Sequence, residues 1–186
     1  LCIGVAILLE PLALFADGAQ RSLLFQLGAG SAYPSYPAQT ETVLSYAEAQ
    51  AGVERIKLSL DLALGIALNQ QGFLMARIDG TGDRLYDSSD YLQLNPYLYS
   101  LGLRYYPATT GFYLDAGGGA SRAVLQASTG ESSTSEFGFG YGLAAGYDFN
   151  ATPRGFGLSF EARYLGLEIG SDQAGALMLT IDLCWK

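Results

Sequence analysis

The chain has 186 residues, enough for one domain, and is 49% apolar but only 15% charged, a low charge content for a water-exposed surface. Its formal net charge of −8 argues against a nucleic-acid partner, because phosphate binding needs clustered Lys and Arg. With no His at all, the chain lacks the usual general base and the commonest metal ligand, so no catalytic residue, metal or cofactor is expected.

Residues 1–16 are almost entirely apolar but shorter than the ~20 residues a spanning helix needs, and Glu10 and Pro11 interrupt them. They read as a secretory signal peptide with a truncated basic region, cleaved near Ala16 or Ala19. The expected organisation is therefore a signal peptide over 1–19 and one barrel domain over 20–186. Cleavage would leave Cys184 as the single cysteine, which excludes an intrachain disulfide.

Apolar and polar or small residues then alternate in eight segments, the pattern of strands with one apolar face. They are predicted at about 22–33, 56–68, 73–81, 96–106, 112–123, 137–149, 156–167 and 176–185. The clearest runs Ile56, Leu58, Leu60, Leu62, Leu64, Ile66, Leu68, with Lys57, Ser59, Asp61, Ala63, Gly65 and Ala67 between them. In the sixth, Phe137, Phe139, Tyr141, Leu143, Ala145, Tyr147 and Phe149 alternate with Gly, Ala and Asp148.

The connections alternate in length. Turn residues occupy 69–72, 107–111 and 151–155, whereas polar stretches fill 34–52, 82–95 and 124–135, with a shorter one at 168–175. A short helix is predicted near 42–51. The segment 79–90 carries Asp79, Asp83, Asp87 and Asp90 without the spacing of a calcium loop, and reads as a solvated acidic loop.

A water-soluble barrel would point its bulky face inward. Eight strands cannot hold that much bulk, so the bulky face is assigned to lipid and the small and charged face to the lumen. The strands match the ~9–11 residues needed to cross a bilayer at a tilt. Aromatic residues gather near both ends, with Tyr105, Phe112, Tyr147, Phe149, Phe156 and Trp185 at one and Tyr33, Tyr97, Phe137 and Tyr164 at the other. The fold class expected is an all-β, eight-stranded antiparallel up-and-down transmembrane barrel. A soluble ligand-binding barrel is the weaker alternative.

By parity, Asp61, Arg77, Arg104, Asp115, Asp148, Glu161, Arg163 and Asp182 face the lumen. They read as a salt-bridge plug, the alternative being a gated polar path. Leu92, Leu94, Leu98, Leu165, Leu167 and Met178 face inward nearer the extracellular end, as an apolar mouth or as a part of the strands projecting beyond the lipid.

Signal segment, eight two-residue-period strands, alternating turns and loops, and the last strand Leu177 to Trp185 together resemble the small bacterial eight-stranded outer-membrane barrels. The OmpW/OprG-like and OmpX/OmpA-like groups are the nearest comparisons. Such barrels commonly end on an aromatic residue, whereas here Lys186 follows Trp185. The resemblance implies location in the bacterial outer membrane, contact with its lipid, and a narrow channel for uptake of small hydrophobic molecules. The enzymes of this architecture use a His, which this chain lacks. The alternative is a closed barrel that serves as a surface adhesin or structural protein and meets host or matrix ligands through its extracellular loops.

Overall fold

The computed structural model describes residues 23–88, 90–107, 111–149 and 155–185. The expected signal peptide, parts of two predicted turns and Lys186 lie outside the described residues. The chain forms β1 (Leu23–Ser35), α1 (Ala38–Glu48), β2 (Glu54–Ala67), β3 (Gly72–Tyr86), β4 (Tyr91–Tyr105), β5 (Phe112–Ala127), β6 (Ser132–Thr134), β7 (Gly138–Asp148), β8 (Phe156–Ile169) and β9 (Asp172–Trp185). The eight long strands pair antiparallel in sequence, β9 returns to β1, and the sheet closes. The short β6 only extends the upper edge of β5.

Closure leaves no sheet edge, which lipid requires of any β-structure that spans it. Following directly paired residues once around leads from Leu23 through Ile66, Leu74, Leu103, Ala116, Leu143, Tyr164 and Leu177 to Tyr33. The stagger is ten residues (33 − 23) over eight strands. With ~3.3 Å per residue and ~4.8 Å between strands, that sets a tilt of about 40°.

The period-two pattern sorts the side chains as expected. Leu60 is 63% exposed on the outer wall, while its neighbour Asp61 is 3% exposed inside. On β2 the outward residues are apolar from Ile56 to Ile66, ten positions apart. At this rise and tilt they make a belt of roughly 25 Å, the height of the apolar band of outer-membrane barrels. Among the described residues no helix is long and apolar enough to cross a membrane; the strands cross it.

Two predicted loops are mostly strand. Over 82–95, β3 instead continues to Tyr86 and β4 begins at Tyr91. The turn between them is tied by Asp87 N–H to the Asp90 carbonyl at 3.0 Å and by Asp90 N–H to the Asp87 carboxylate at 2.9 Å. Over 168–175, β8 and β9 meet in a tight turn at Gly170 and Ser171, with Gly170 at φ +63°. A glycine at positive φ in the first turn position suits the twist of a hairpin. Beyond the lipid the outer face turns polar, so alternation in hydrophobicity fades while the backbone ladder continues. Of the other two long connections, 124–135 holds the end of β5 and the short β6, and 34–52 holds α1, a few residues earlier than the sequence suggests.

Candidate functional site in the barrel lumen

The lumen is filled in layers. At the periplasmic end, Leu24, Ala63, Phe73, Met75, Tyr106 and Tyr113 pack together. The Tyr106 ring lies between Phe73 and Tyr113, with centroids 6.0 and 5.5 Å away. Burial of these apolar side chains makes a dry floor.

Above it lies a charged layer assembled from five strands. Glu161 on β8 is its hub. One of its oxygens accepts from Arg77 and from Arg163, each at 2.8 Å; the other accepts from Arg104 and from the Tyr113 hydroxyl, each at 3.0 Å. Asp115 accepts from Arg163 at 2.7 Å, Arg104 at 3.1 Å and Arg77 at 3.4 Å. Arg77 reaches Asp61 at 3.2 Å and Asp79 at 3.4 Å. Arg104 donates to the Gln26 side-chain oxygen Oε1 at 2.7 Å and stacks 3.9 Å over the Tyr113 ring. The three guanidinium side chains are at most 2% exposed. Charges taken out of water are stable only when opposite charges and hydrogen bonds replace the lost solvent. Here each arginine meets at least two carboxylates.

The eight charged residues expected in the lumen are all inside and buried, but they do not form one cluster. Asp148 sits at the periplasmic end of β7, away from the arginine network, where its backbone meets Gly111. Asp182 accepts from the Ser159 hydroxyl at 2.9 Å rather than from an arginine. One Asp182 oxygen and one Asp61 oxygen lack hydrogen-bond partners. Both point across Gly28, each 2.0 Å from the place a Cβ would occupy there. Gly28 is paired with Asp61 on one side and Asp182 on the other. Its missing side chain makes room for the two carboxylates to face each other.

Three partners escaped the sequence-based set. Asp79, in the overlap of the predicted strand 73–81 with the predicted acidic loop 79–90, is absent from the predicted charged set but is fully buried in β3 beside Arg77. Its odd parity, shared with Arg77, was the available signal. Gln26 and Tyr113 are uncharged and carry no comparable mark. Asp83, from the same predicted loop, is also buried within β3.

Over the charged layer, Leu98, Leu165, Leu167, Ala176 and Met178 form a buried apolar layer. Four of these belong to the expected mouth. Leu92 and Leu94 lie opposite Leu85 and Asp83, so they share the inward face, but they stay half-buried outside this cluster. The wall beside the apolar layer is thin. A side chain at Gly140 would strike Leu98 at 2.7 Å, and one at Gly142 would strike Arg163 at 2.7 Å. The ladder between β7 and β8 ends at Gly140 and Leu167. Above it, Ser121 Oγ donates to the Glu168 carbonyl, and Phe139 N–H reaches the Glu168 carboxylate.

At the top, Arg55 joins α1 to the rim. It donates to both Asp83 oxygens, at 2.8 and 2.7 Å, and to Glu48 at 3.0 Å and Glu41 at 3.3 Å on the helix. Leu44 of α1 is buried beneath the helix, while Val43 and Tyr46 are 62% and 72% exposed. Burial and the Asp83 charge push the Tyr36 hydroxyl above the ordinary tyrosine range, so it stays protonated.

Known proteins place this architecture. No curated protein sequence matches the chain. Among solved structures, Neisserial surface protein A is 19% identical, with 91% of this chain and 99% of that one covered at a TM-score of 0.62. Ail, the attachment invasion locus protein of Yersinia pestis, is 14% identical, with 88% and 97% covered at a TM-score of 0.56. Ail in complex with the heparin analogue sucrose octasulfate matches at 14% identity, with 89% and 99% covered and a TM-score of 0.54. At these identities the likeness is one of fold. The outer membrane protein beta-barrel domain family matches over residues 25–182. The chain belongs to that family and is a transmembrane β-barrel of the bacterial outer membrane.

Proposed function

We propose that this protein is a sealed barrel that works through its extracellular face rather than through its lumen. The charged layer carries this reading. Its arginines are bound to buried carboxylates and lie between two buried apolar layers. Moving a solute past them would separate desolvated ion pairs, at several kcal/mol for each ion left uncompensated. Two grooves, of about 450 and 340 Å³, lie on the outer wall and not in the lumen.

The extracellular surface has the features of a contact surface. α1 is pinned at its base by Arg55 and presents Val43 and Tyr46 outward. The rim is acidic, with Glu41, Glu48, Glu54, Glu131, Glu136 and Asp172 near the ends of the strands. It is therefore a poor surface for a polyanion such as the one bound by Ail, and a host or matrix protein is the partner class that fits better. Replacing residues 38–48 with a Gly/Ser linker should abolish adhesion of expressing cells to a matrix-coated surface while the barrel still inserts. Full adhesion by an inserted variant would remove α1 from the role.

A second reading, uptake of small hydrophobic molecules, is favoured by one observation. The apolar layer of Leu98, Leu165, Leu167 and Met178 lies against the thin glycine wall, close to where the β7–β8 ladder ends. A sideways exit there would lead straight into lipid. On that reading, Leu165→Asp with Leu167→Asp should abolish uptake of an apolar solute, and unchanged uptake would remove this path.

A further inference from the structure

The charged layer of the lumen is not electrically balanced. Arg77, Arg104 and Arg163 stand among five buried carboxylates, Asp61, Asp79, Asp115, Glu161 and Asp182. The other buried acids belong elsewhere: Asp83 binds Arg55 at the rim, and Asp148 lies at the periplasmic end of β7. Among the described residues the layer therefore holds two more negative charges than positive ones. Such an excess is costly away from water unless a counter-charge offsets it.

The excess is localised. All three arginines converge on Glu161 and on Asp115. Asp61 meets only Arg77, through Oδ1, and Asp182 meets no arginine among the described residues. The remaining oxygens, Asp61 Oδ2 and Asp182 Oδ1, have no hydrogen-bond partner. Each lies 2.0 Å from the place of a Cβ at Gly28, so they are no farther apart than 4.0 Å.

A third oxygen from outside the acids joins them. The Thr180 hydroxyl lies beside the Asp182 carboxylate, is 2% exposed as a residue, and has no hydrogen-bond partner. Thr180 is paired with Gly30 as Asp182 is with Gly28, so β1 withdraws its side chains where these oxygens gather. The opposite oxygens are anchored. Ser159 Oγ donates to Asp182 Oδ2 at 2.9 Å, and Gln26 Nε2 donates to Asp61 Oδ1 at 3.2 Å. Such bonds orient the free oxygens as outer partners orient metal ligands.

We propose that Asp61, Asp182 and Thr180 form a site for a hard divalent cation of the calcium class, loaded as the barrel folds. Calcium takes oxygen ligands at about 2.4 Å in flexible arrangements, with water completing its shell. An ion at that distance from both carboxylates fits between oxygens at most 4.0 Å apart. Its two charges match the excess, whereas one shared proton would offset half of it. The ion would tie β2 to β9 across β1, at the seam where the last strand closes on the first. The site is independent of any role for the extracellular face.

The test refolds the full chain with calcium or with a chelator, removes loose ions by gel filtration, and measures bound calcium and urea unfolding. Wild type should retain one calcium ion per barrel and unfold at higher urea with calcium than with chelator. Asp182→Asn should retain none and unfold at the same urea in both. In chelator it should be at least as stable as wild type, because the like-charge contact is gone. Magnesium, which gives up its water reluctantly, should compete roughly tenfold or more weakly. Equal competition would overturn the assignment to calcium. Calcium retained equally by Asp182→Asn would place the ion on the acidic rim and overturn the site. A folded wild-type barrel that retains no calcium would also overturn it. So would stability that rises on acidification and ignores calcium, the mark of a proton shared by the two acids. Heat-modifiable gel mobility reports folding, and Asp61→Asn carries the comparison if Asp182→Asn does not fold.

Discussion

The carboxylates of the lumen are not equivalent, and their surroundings predict opposite responses to the same chemical change. Glu161 accepts from three arginines and a tyrosine, so Glu161→Gln leaves buried guanidinium charge uncompensated. It should destabilise the barrel by about 3–5 kcal/mol. Asp182 has one oxygen without a partner, facing an unpartnered oxygen of Asp61 across Gly28. Those two oxygens can be no farther apart than 4.0 Å, twice the 2.0 Å each keeps from the Gly28 Cβ position. Asp182→Asn removes a like-charge contact and should be neutral or stabilising, by up to about 1 kcal/mol. Urea unfolding followed by the fluorescence of Trp185 would separate the two; equal destabilisation would contradict this assignment. Most of the layer was legible at this scale because period-two parity marks a charge on a lipid-crossing strand as inward. Asp79 falls both in the predicted strand 73–81 and in the predicted acidic loop 79–90, because Gly80, Gly82 and three further aspartates imitate a loop. Gln26 and Tyr113 were invisible because their role depends on which side chains meet across the barrel.

At the scale of the strands, the sequence marks where lipid lies better than where β-structure ends. All eight long strands were legible, since lipid enforces alternation on the outer face. Their upper ends were not, since residues 82–86 and 91–95 stand in a polar setting while still paired to one another. Amide hydrogen exchange in a bilayer should show Asp83, Leu85 and Leu94 protected, and α1, with its mostly exposed surface, exchanging much faster. Rapid exchange throughout 82–95 would restore the loop. The turn at Gly170 and Ser171 was missed for the same reason, as the polar residues near it signal a loop whether or not the ladder runs through them.

At the scale of the whole molecule, the sealed-barrel reading rests on a narrow eight-stranded cylinder with buried layers of side chains inside it. Eight strands leave a lumen that side chains just fill, and this chain fills it with an aromatic floor, a charged layer and an apolar layer. Fold and membrane location were legible because they follow from periodicity summed over the chain. The choice between channel and closed barrel depends on how individual side chains meet inside, which periodicity does not encode. The most direct test is ion conductance across planar bilayers containing the refolded chain, with insertion verified by protease protection and heat-modifiable mobility. The closed-lumen account predicts no discrete current steps above the protein-free membrane. Reproducible steps from an inserted barrel, altered by Glu161→Gln, would show that the charged layer lines an open path and would contradict it.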